Sequence, residues 1–146
     1  MLNEDLLAVW LHLTNIIDNQ RLAAAPQSSL SLNEALVCGL LAQSEDCPLT
    51  ASDLCRRTRI LKSQMNAILH SLESRGLIAR QRAQADRRRV EIRLLEPGRV
   101  CYEAAHRRAL GMADRLIGEL GREQAEALVP LLRRAADIFD SIQKEG

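Results

Sequence analysis

The sequence predicts a mainly α-helical protein with one small β element, and three observations lead there. Aromatic side chains are scarce: Trp10, Tyr102 and Phe139 are the only ones in 146 residues. The core must therefore be built from Leu, Ile, Val and Ala, the palette of packed helices. Apolar residues recur at three- and four-residue spacing over most of the chain, whereas alternation at every second position is confined to the runs 77–82 and 90–94. Between and within those runs, the stretch Gln81–Leu94 holds five arginines. Guanidinium groups crowded at a hairpin tip repel one another and bury nothing, so the stretch calls for an anionic partner.

The elements follow in order. Leu2, Leu6, Val9, Leu13, Ile16 and Ile17 lie at helical spacing and predict a helix from about Leu2 to Leu22. Ala23 to Ser29, with Pro26, reads as a linker. Ser31-Leu32-Asn33-Glu34 has the form of a capping box, and a helix is expected from there to Ala42. The loop Ser44–Pro48 precedes a second capping signal at Thr50–Asp53, which opens a short helix to about Thr58. Lys62 to Arg75 forms the next helix, with Met65, Leu69 and Leu72 on one face. Gly76 stands where a left-handed residue ends a helix, with Leu77 as the apolar partner after it. The two alternating runs then form the hairpin. Pro97 suits the first turn of a long helix to about Leu120. Gly121 breaks it, and a last helix runs from Arg122 to about Ile142, with Met112, Leu116, Ile117, Leu128, Leu132, Ala135 and Phe139 at helical spacing across the pair.

Net charge is +1, but its distribution is uneven. The segment from Arg56 to Arg108 carries fourteen basic residues against five acids, and the remainder six against fourteen. A basic middle between acidic ends marks the middle as the binding surface. The scarcity of aromatic platforms argues against recognition of RNA or single strands by stacking. No apolar run is long enough to span a bilayer, and the early acids Glu4 and Asp5 are unlike a signal peptide, so a cytoplasmic protein is expected. The four cysteines have no paired spacing and read as reduced thiols: Cys38 and Cys55 as core, Cys47 as a loop thiol open to oxidation. His12, His70 and His106 lack clustered partners, so no metal or other cofactor is expected. No phosphate loop, nucleophile elbow or HExxH motif is present, and the protein is not expected to be an enzyme.

Helix, short helix, turn, helix, hairpin is the order of a winged helix-turn-helix, which reads double-stranded DNA. The helix Lys62–Arg75 would enter the major groove. Opposite its apolar face it carries Lys62, Ser63, Gln64, Asn66, Ala67 and His70, side chains suited to base edges and nearby phosphates. The hairpin tip would bring Arg87, Arg88 and Arg89 to the adjacent minor groove or backbone.

From Leu30 to Gly98 the chain resembles the MarR family of bacterial transcriptional regulators. The resemblance rests on Leu49-Thr50-x-x-Asp53-Leu54, on Lys62-Ser63-Gln64-Met65, and on Leu72-Glu73-Ser74-Arg75-Gly76-Leu77-Ile78. The wing matches at Asp86-Arg87-Arg88, Val90, Ile92, Leu94 and Gly98. The chain departs from the family pattern at Leu61, where a serine N-cap is usual, and at Ala67 and His70, where arginines are common. It departs again at Arg59 in the tight turn and at Leu95 after the second strand. The resemblance implies that Asp86 braces the wing and that Arg88 enters the minor groove. Thr50 and Ser52, at the start of the motif's first helix, and Arg82 on the wing join the candidate DNA-binding residues.

The same resemblance implies that the first and last helices of two subunits interlace. The expected architecture is thus mainly α with a small β wing: a winged helix-turn-helix flanked by N- and C-terminal dimerisation helices. Its regions would be 1–28, the N-terminal dimerisation helix; 29–96, the DNA-binding lobe; and 97–146, the C-terminal dimerisation helices. Leu2, Leu6, Val9 and Leu13 at one end, and Leu116, Leu128, Leu132 and Phe139 at the other, are the candidate dimerisation residues. The function expected is that of a homodimeric regulator, commonly a repressor, on a pseudo-palindromic operator. A small aromatic or phenolic effector is implied by the family alone. The alternatives are a winged-helix module that binds an acidic protein, and a regulator that senses oxidants through a thiol.

Overall fold

The computed structural model describes residues 1–19 and 30–145. The elements run α1 (Leu2–Asn19), α2 (Leu32–Gln43), α3 (Ala51–Thr58), α4 (Lys62–Ser74), β1 (Ile78–Arg82), β2 (Val90–Leu94), α5 (Glu96–Leu120) and α6 (Arg122–Glu145). The chain is mainly helical with a small antiparallel wing, as the sequence predicts. The expected last turn of the first helix at 20–22 and the linker at 23–29 lie outside the described residues. Element ends shift by a residue or so, and α6 continues about a turn beyond the Ile142 expected from sequence.

Local chemistry explains the boundaries around the lobe. Ser31 Oγ accepts from the Glu34 amide at 3.0 Å while Glu34 Oε2 accepts from the Ser31 amide at 2.8 Å, so α2 opens on a closed capping box. Thr50 and Asp53 repeat the device at α3. Leu61 heads α4 and supplies no side-chain cap. The end of α4 is a Schellman motif: Gly76 takes φ 71°, its amide bonds Glu73 O at 3.0 Å, and the Leu77 amide bonds Leu72 O at 3.0 Å. The turn between α3 and α4 places Arg59 in the left-handed region at φ 60°, the one non-glycine residue there among the described residues.

Two compact units divide the chain, Met1–His106 and Arg107–Gly146. The core of the first lies under the helix-turn-helix. Val37, Cys38 and Leu41 of α2, Leu54 of α3, and Met65, Leu69 and Leu72 of α4 pack with Leu49 before α3 and with Leu77, Ile78 and Ile92 at the wing. Cys101 and Tyr102 at the start of α5 lean on the same cluster. A Cβ at Gly39 would come within 3.1 Å of the Tyr102 ring, so this glycine lets α5 approach α2. The strands pair from Ile78↔Leu94 to Arg82↔Val90, and an isolated bridge joins Leu49 to Ile92, with the Ile92 amide on Leu49 O at 2.8 Å. The sequence reading missed this third segment, because a single bridged residue has no periodicity to detect.

In the second unit, Leu110, Met112, Leu116, Ile117, Leu131, Leu132 and Phe139 are exposed. No helix among the described residues is long and apolar enough to cross a membrane.

Candidate nucleic-acid interface

The two faces of α4 are sharply divided. Met65, Leu69 and Leu72 are fully buried. Lys62, Ser63, Gln64, Asn66, Ala67 and His70 are all exposed. Full burial of each large apolar side chain contributes about 1.5–3 kcal/mol, which fixes the rotation of the helix and leaves the polar face outward. Because Leu61 does not cap the helix, its first-turn amides and positive dipole end remain available to an anion such as a phosphate.

The start of α3 is committed internally. Thr50 Oγ1 donates to Asp53 Oδ2 at 2.9 Å and accepts from the Asp53 amide at 3.2 Å. The Thr50 amide bonded to Asp53 is the main reason that carboxyl is held below its ordinary range. The Thr50 hydroxyl and Arg56 act in the same direction against partial desolvation. Ser52 is exposed beside this cap, so of the two hydroxyls expected from sequence to meet DNA, the unengaged one is Ser52.

At the wing tip, Asp86 organises the turn. Its Oδ1 accepts from the Arg88 amide at 3.0 Å and its carbonyl from the Arg89 amide at 3.0 Å. Arg82 Nη1 reaches across to the Arg87 carbonyl at 3.3 Å. The side chains of Arg87 and Arg88 are exposed and make no hydrogen bond or ion pair among the described residues. Arg89 behaves differently. Its guanidinium donates to Pro48 O at 3.1 Å and lies 3.8 Å from Asp53 and 3.7 Å from Glu91.

The structure also redistributes the charge counted from the sequence. Arg75 is tied to Glu34 at 3.3 Å, Arg80 to Glu73 at 3.6 Å and Arg56 to Asp53 at 2.7 Å. Arg93 pairs with Glu91 at 3.8 Å, and Arg99 with Glu45 and Glu96. Much of the basic middle therefore holds the lobe together. On the outward face of α4 and at the wing tip, the exposed cations with no hydrogen bond or ion pair among the described residues are Lys62, Arg87 and Arg88, and Arg57, Arg107 and Arg108 are exposed elsewhere. The i,i+3 pair of Asp53 and Arg56 was detectable by spacing. The pair of Glu34 and Arg75, 41 residues apart, had no local signal.

Cys38 is fully buried as expected; burial first, then Glu34 and Cys101, push its thiol up to about 12 against the opposing pull of Arg75. Cys55, expected in the core, is half-buried and packs against the core cluster, and Cys47 is exposed. The candidate dimerisation residues Leu2, Leu6, Val9 and Leu13 are exposed, as are Leu116, Leu132 and Phe139, whereas Leu128 is half-buried.

A helix-turn-helix with an arginine-tipped wing defines a winged-helix DNA-binding protein. Comparison with known proteins gives the family. The sequence profile of the MarR family matches residues 28–89. The HTH-type transcriptional regulator FarR of Neisseria gonorrhoeae is 31% identical over 116 residues, which cover 80% of this chain and 78% of FarR. The chain belongs to the MarR family of DNA-binding transcriptional regulators. Among solved structures, the transcriptional repressor CouR bound to a 23-mer DNA duplex superposes with a TM-score of 0.77 at 28% identity, over 92% of this chain and 94% of CouR. Bordetella bronchiseptica BpsR, in a structure described as the mechanism by which 6-hydroxynicotinic acid regulates its DNA binding, shares the fold. Its TM-score is 0.71 at 24% identity, over 93% of this chain and 99% of BpsR.

Proposed function

We propose that this regulator is a homodimeric repressor that occupies a pseudo-palindromic operator and is released by a small aromatic ligand. The observation that carries the DNA-reading part is the pairing of an exposed polar face on α4 with the unpartnered side chains of Arg87 and Arg88. The helix face supplies amide and hydroxyl groups for base edges, with Gln64 and Asn66 able to make paired hydrogen bonds to adenine. The wing supplies the positive charge that anchors the lobe to the backbone or minor groove. Asp86 braces the wing by holding the Arg88 amide.

Two copies are required for a two-fold operator. The exposed apolar side chains of α1 (Leu2, Leu6, Val9, Leu13) and of the second unit (Leu116, Leu132, Phe139) support a second copy as their cover. In this reading, 1–28 and 97–146, with the half-buried Leu128, serve dimerisation and 29–96 serves DNA binding. Repression follows if the bound dimer excludes polymerase, and CouR, a repressor, is the DNA-bound relative at 28% identity. Release by an aromatic ligand is a population shift between spacings of the two DNA-binding lobes. BpsR, whose DNA binding responds to 6-hydroxynicotinic acid, gives the chemical class to try first.

Selection from random duplex DNA tests the core of this reading. An enriched inverted repeat is expected. Retention of DNA with no enriched symmetric site would remove the operator reading. Titration of a recovered duplex complex with hydroxylated aromatic acids then tests the ligand, with loss of binding as the expected result.

A further inference from the structure

Arg89 follows Arg87 and Arg88 directly in the sequence, yet it is the one of the three whose guanidinium is already engaged. It reaches back from the wing to the segment that leads into α3. One terminal nitrogen donates to Pro48 O at 3.1 Å and lies 3.8 Å from Asp53 Oδ2, while Nε lies 3.7 Å from Glu91 Oε1. Asp53 is itself locked by the Thr50 cap and by Arg56, so the anchor is rigid. Glu91 is shared with Arg93 at 3.8 Å.

The wing needs such a fastening. Its regular ladder ends at Arg82↔Val90; the base of the hairpin packs into the core through Ile78 and Ile92, and the bridge of Leu49 to Ile92 lies three residues from Arg89. Beyond that point the tip is held by its own bonds, Ala83 amide to Arg89 O at 2.8 Å and Arg89 amide to Asp86 O at 3.0 Å. Two strands alone are marginal in water. The contact of Arg89 with Pro48 adds an attachment to the body beyond the core-packed base, at the root of the turn that carries Arg87 and Arg88.

We propose that Arg89 is a positioning residue: it latches the wing tip to the start of α3, so that Arg87 and Arg88 meet DNA from a fixed base, and it makes no DNA contact of its own. The proposal rests on the reading of the wing as a DNA contact. An arginine bound in this way cannot enter a groove without surrendering a carbonyl and two carboxylates. Its effect on affinity is therefore indirect. Without the latch the tip orders only on binding, which adds the entropy of fixing about one residue and weakens binding roughly tenfold.

The salt dependence of binding separates the latch from a contact. A side chain that neutralises a phosphate contributes about 0.9 to the slope of log affinity against log salt concentration, and a latch contributes nothing. Arg89→Ala, Arg89→Lys and Arg88→Ala are compared with the parent on a labelled duplex recovered from the random selection, across a salt series. Amide hydrogen exchange at Ala83, Arg88 and Arg89 (or the residue replacing it) is followed in the free proteins. Arg89→Ala is expected to bind roughly tenfold more weakly with an unchanged slope and faster exchange at those amides. Arg89→Lys keeps the charge but not the fork that spans Pro48 and Asp53, and is expected to fail in the same way. The latch is overturned if Arg89→Ala lowers the slope by about one, if Arg89→Lys binds like the parent, or if wing exchange is unchanged. Exchange is read without DNA. Parental binding by Arg88→Ala alongside a loosened wing in Arg89→Ala would remove the DNA-contact reading while leaving the mechanical link intact.

Discussion

Three neighbouring arginines have two fates, and the difference lies in what each side chain can reach. Arg87 and Arg88 project from a turn whose backbone is held by Asp86, whereas Arg89 turns inward to Pro48 and Asp53. Arg88→Ala is expected to weaken operator binding by about 1–3 kcal/mol if it makes a fixed groove contact, read by fluorescence anisotropy. Gln64→Ala should instead change the ranking of sites more than it changes affinity for unrelated duplexes; equal losses on every sequence would make Gln64 a phosphate contact. Glu34 is the other decisive side chain. It is 5% exposed and accepts from the Ser31 amide, Ser71 Oγ and Arg75, tying the start of α2 to the end of α4. Glu34→Ala strands these donors and should destabilise the lobe by about 2–4 kcal/mol in urea denaturation. The capping half of that role was legible as Ser31-x-x-Glu34. The clamp on Arg75 was not, because residues 41 apart meet only after the helices have packed.

Among the elements, α4 combines a well-made end with an unmade start. The Schellman turn at Gly76 and the buried stripe of Met65, Leu69 and Leu72 were both readable from residue type and spacing. The start was readable too, since Leu61 offers no oxygen to the first-turn amides. Leu61→Ser should add roughly 1 kcal/mol to stability, measured by chemical denaturation, because a serine there accepts from the amide of N2 or N3. A null result would mean that the amides are already satisfied by solvent. The junction of wing and α5 is less forgiving. A Cβ at Gly98 would collide with the Leu77 carbonyl and the Leu94 side chain. Gly98→Ala should therefore cost several kcal/mol, on the order of the overpacking penalty or above, and release the base of the wing. The sequence showed a glycine after the second strand but not the strand start it would strike.

For the whole molecule, stability should fall at both ends of the pH range. Asp53 is held below its ordinary 3.8, so its contribution is present above that value and is lost as acid protonates it in the fold. Cys38 is raised from 9.0 to about 12, so its contribution is present below 9 and is lost as the pH climbs through that interval. Urea midpoints should be steady between roughly pH 5 and 8 and drop on either side. Cys38→Ala should flatten the alkaline limb; an unchanged limb would show that another group controls it. Assembly is tested at the same scale. Leu132→Glu, placed at an exposed apolar position of α6, should lower the sedimenting mass from dimer to monomer if that face is covered by a second copy.

The sequence by itself determined the helices, their caps, the short wing and the winged order, because each is encoded in spacings of a few residues. Those spacings also carried the family, and the concentration of arginine at the wing pointed to an anionic partner. Much of the allocation of charge was decided by tertiary structure. Fourteen basic residues looked like one surface in the chain, but Arg75, Arg80, Arg89 and Arg99 were drawn into ion pairs with acids that the fold brought to them. Composition can count guanidinium groups. Which of them remain free to meet a phosphate depends on distances that exist only once the core has closed.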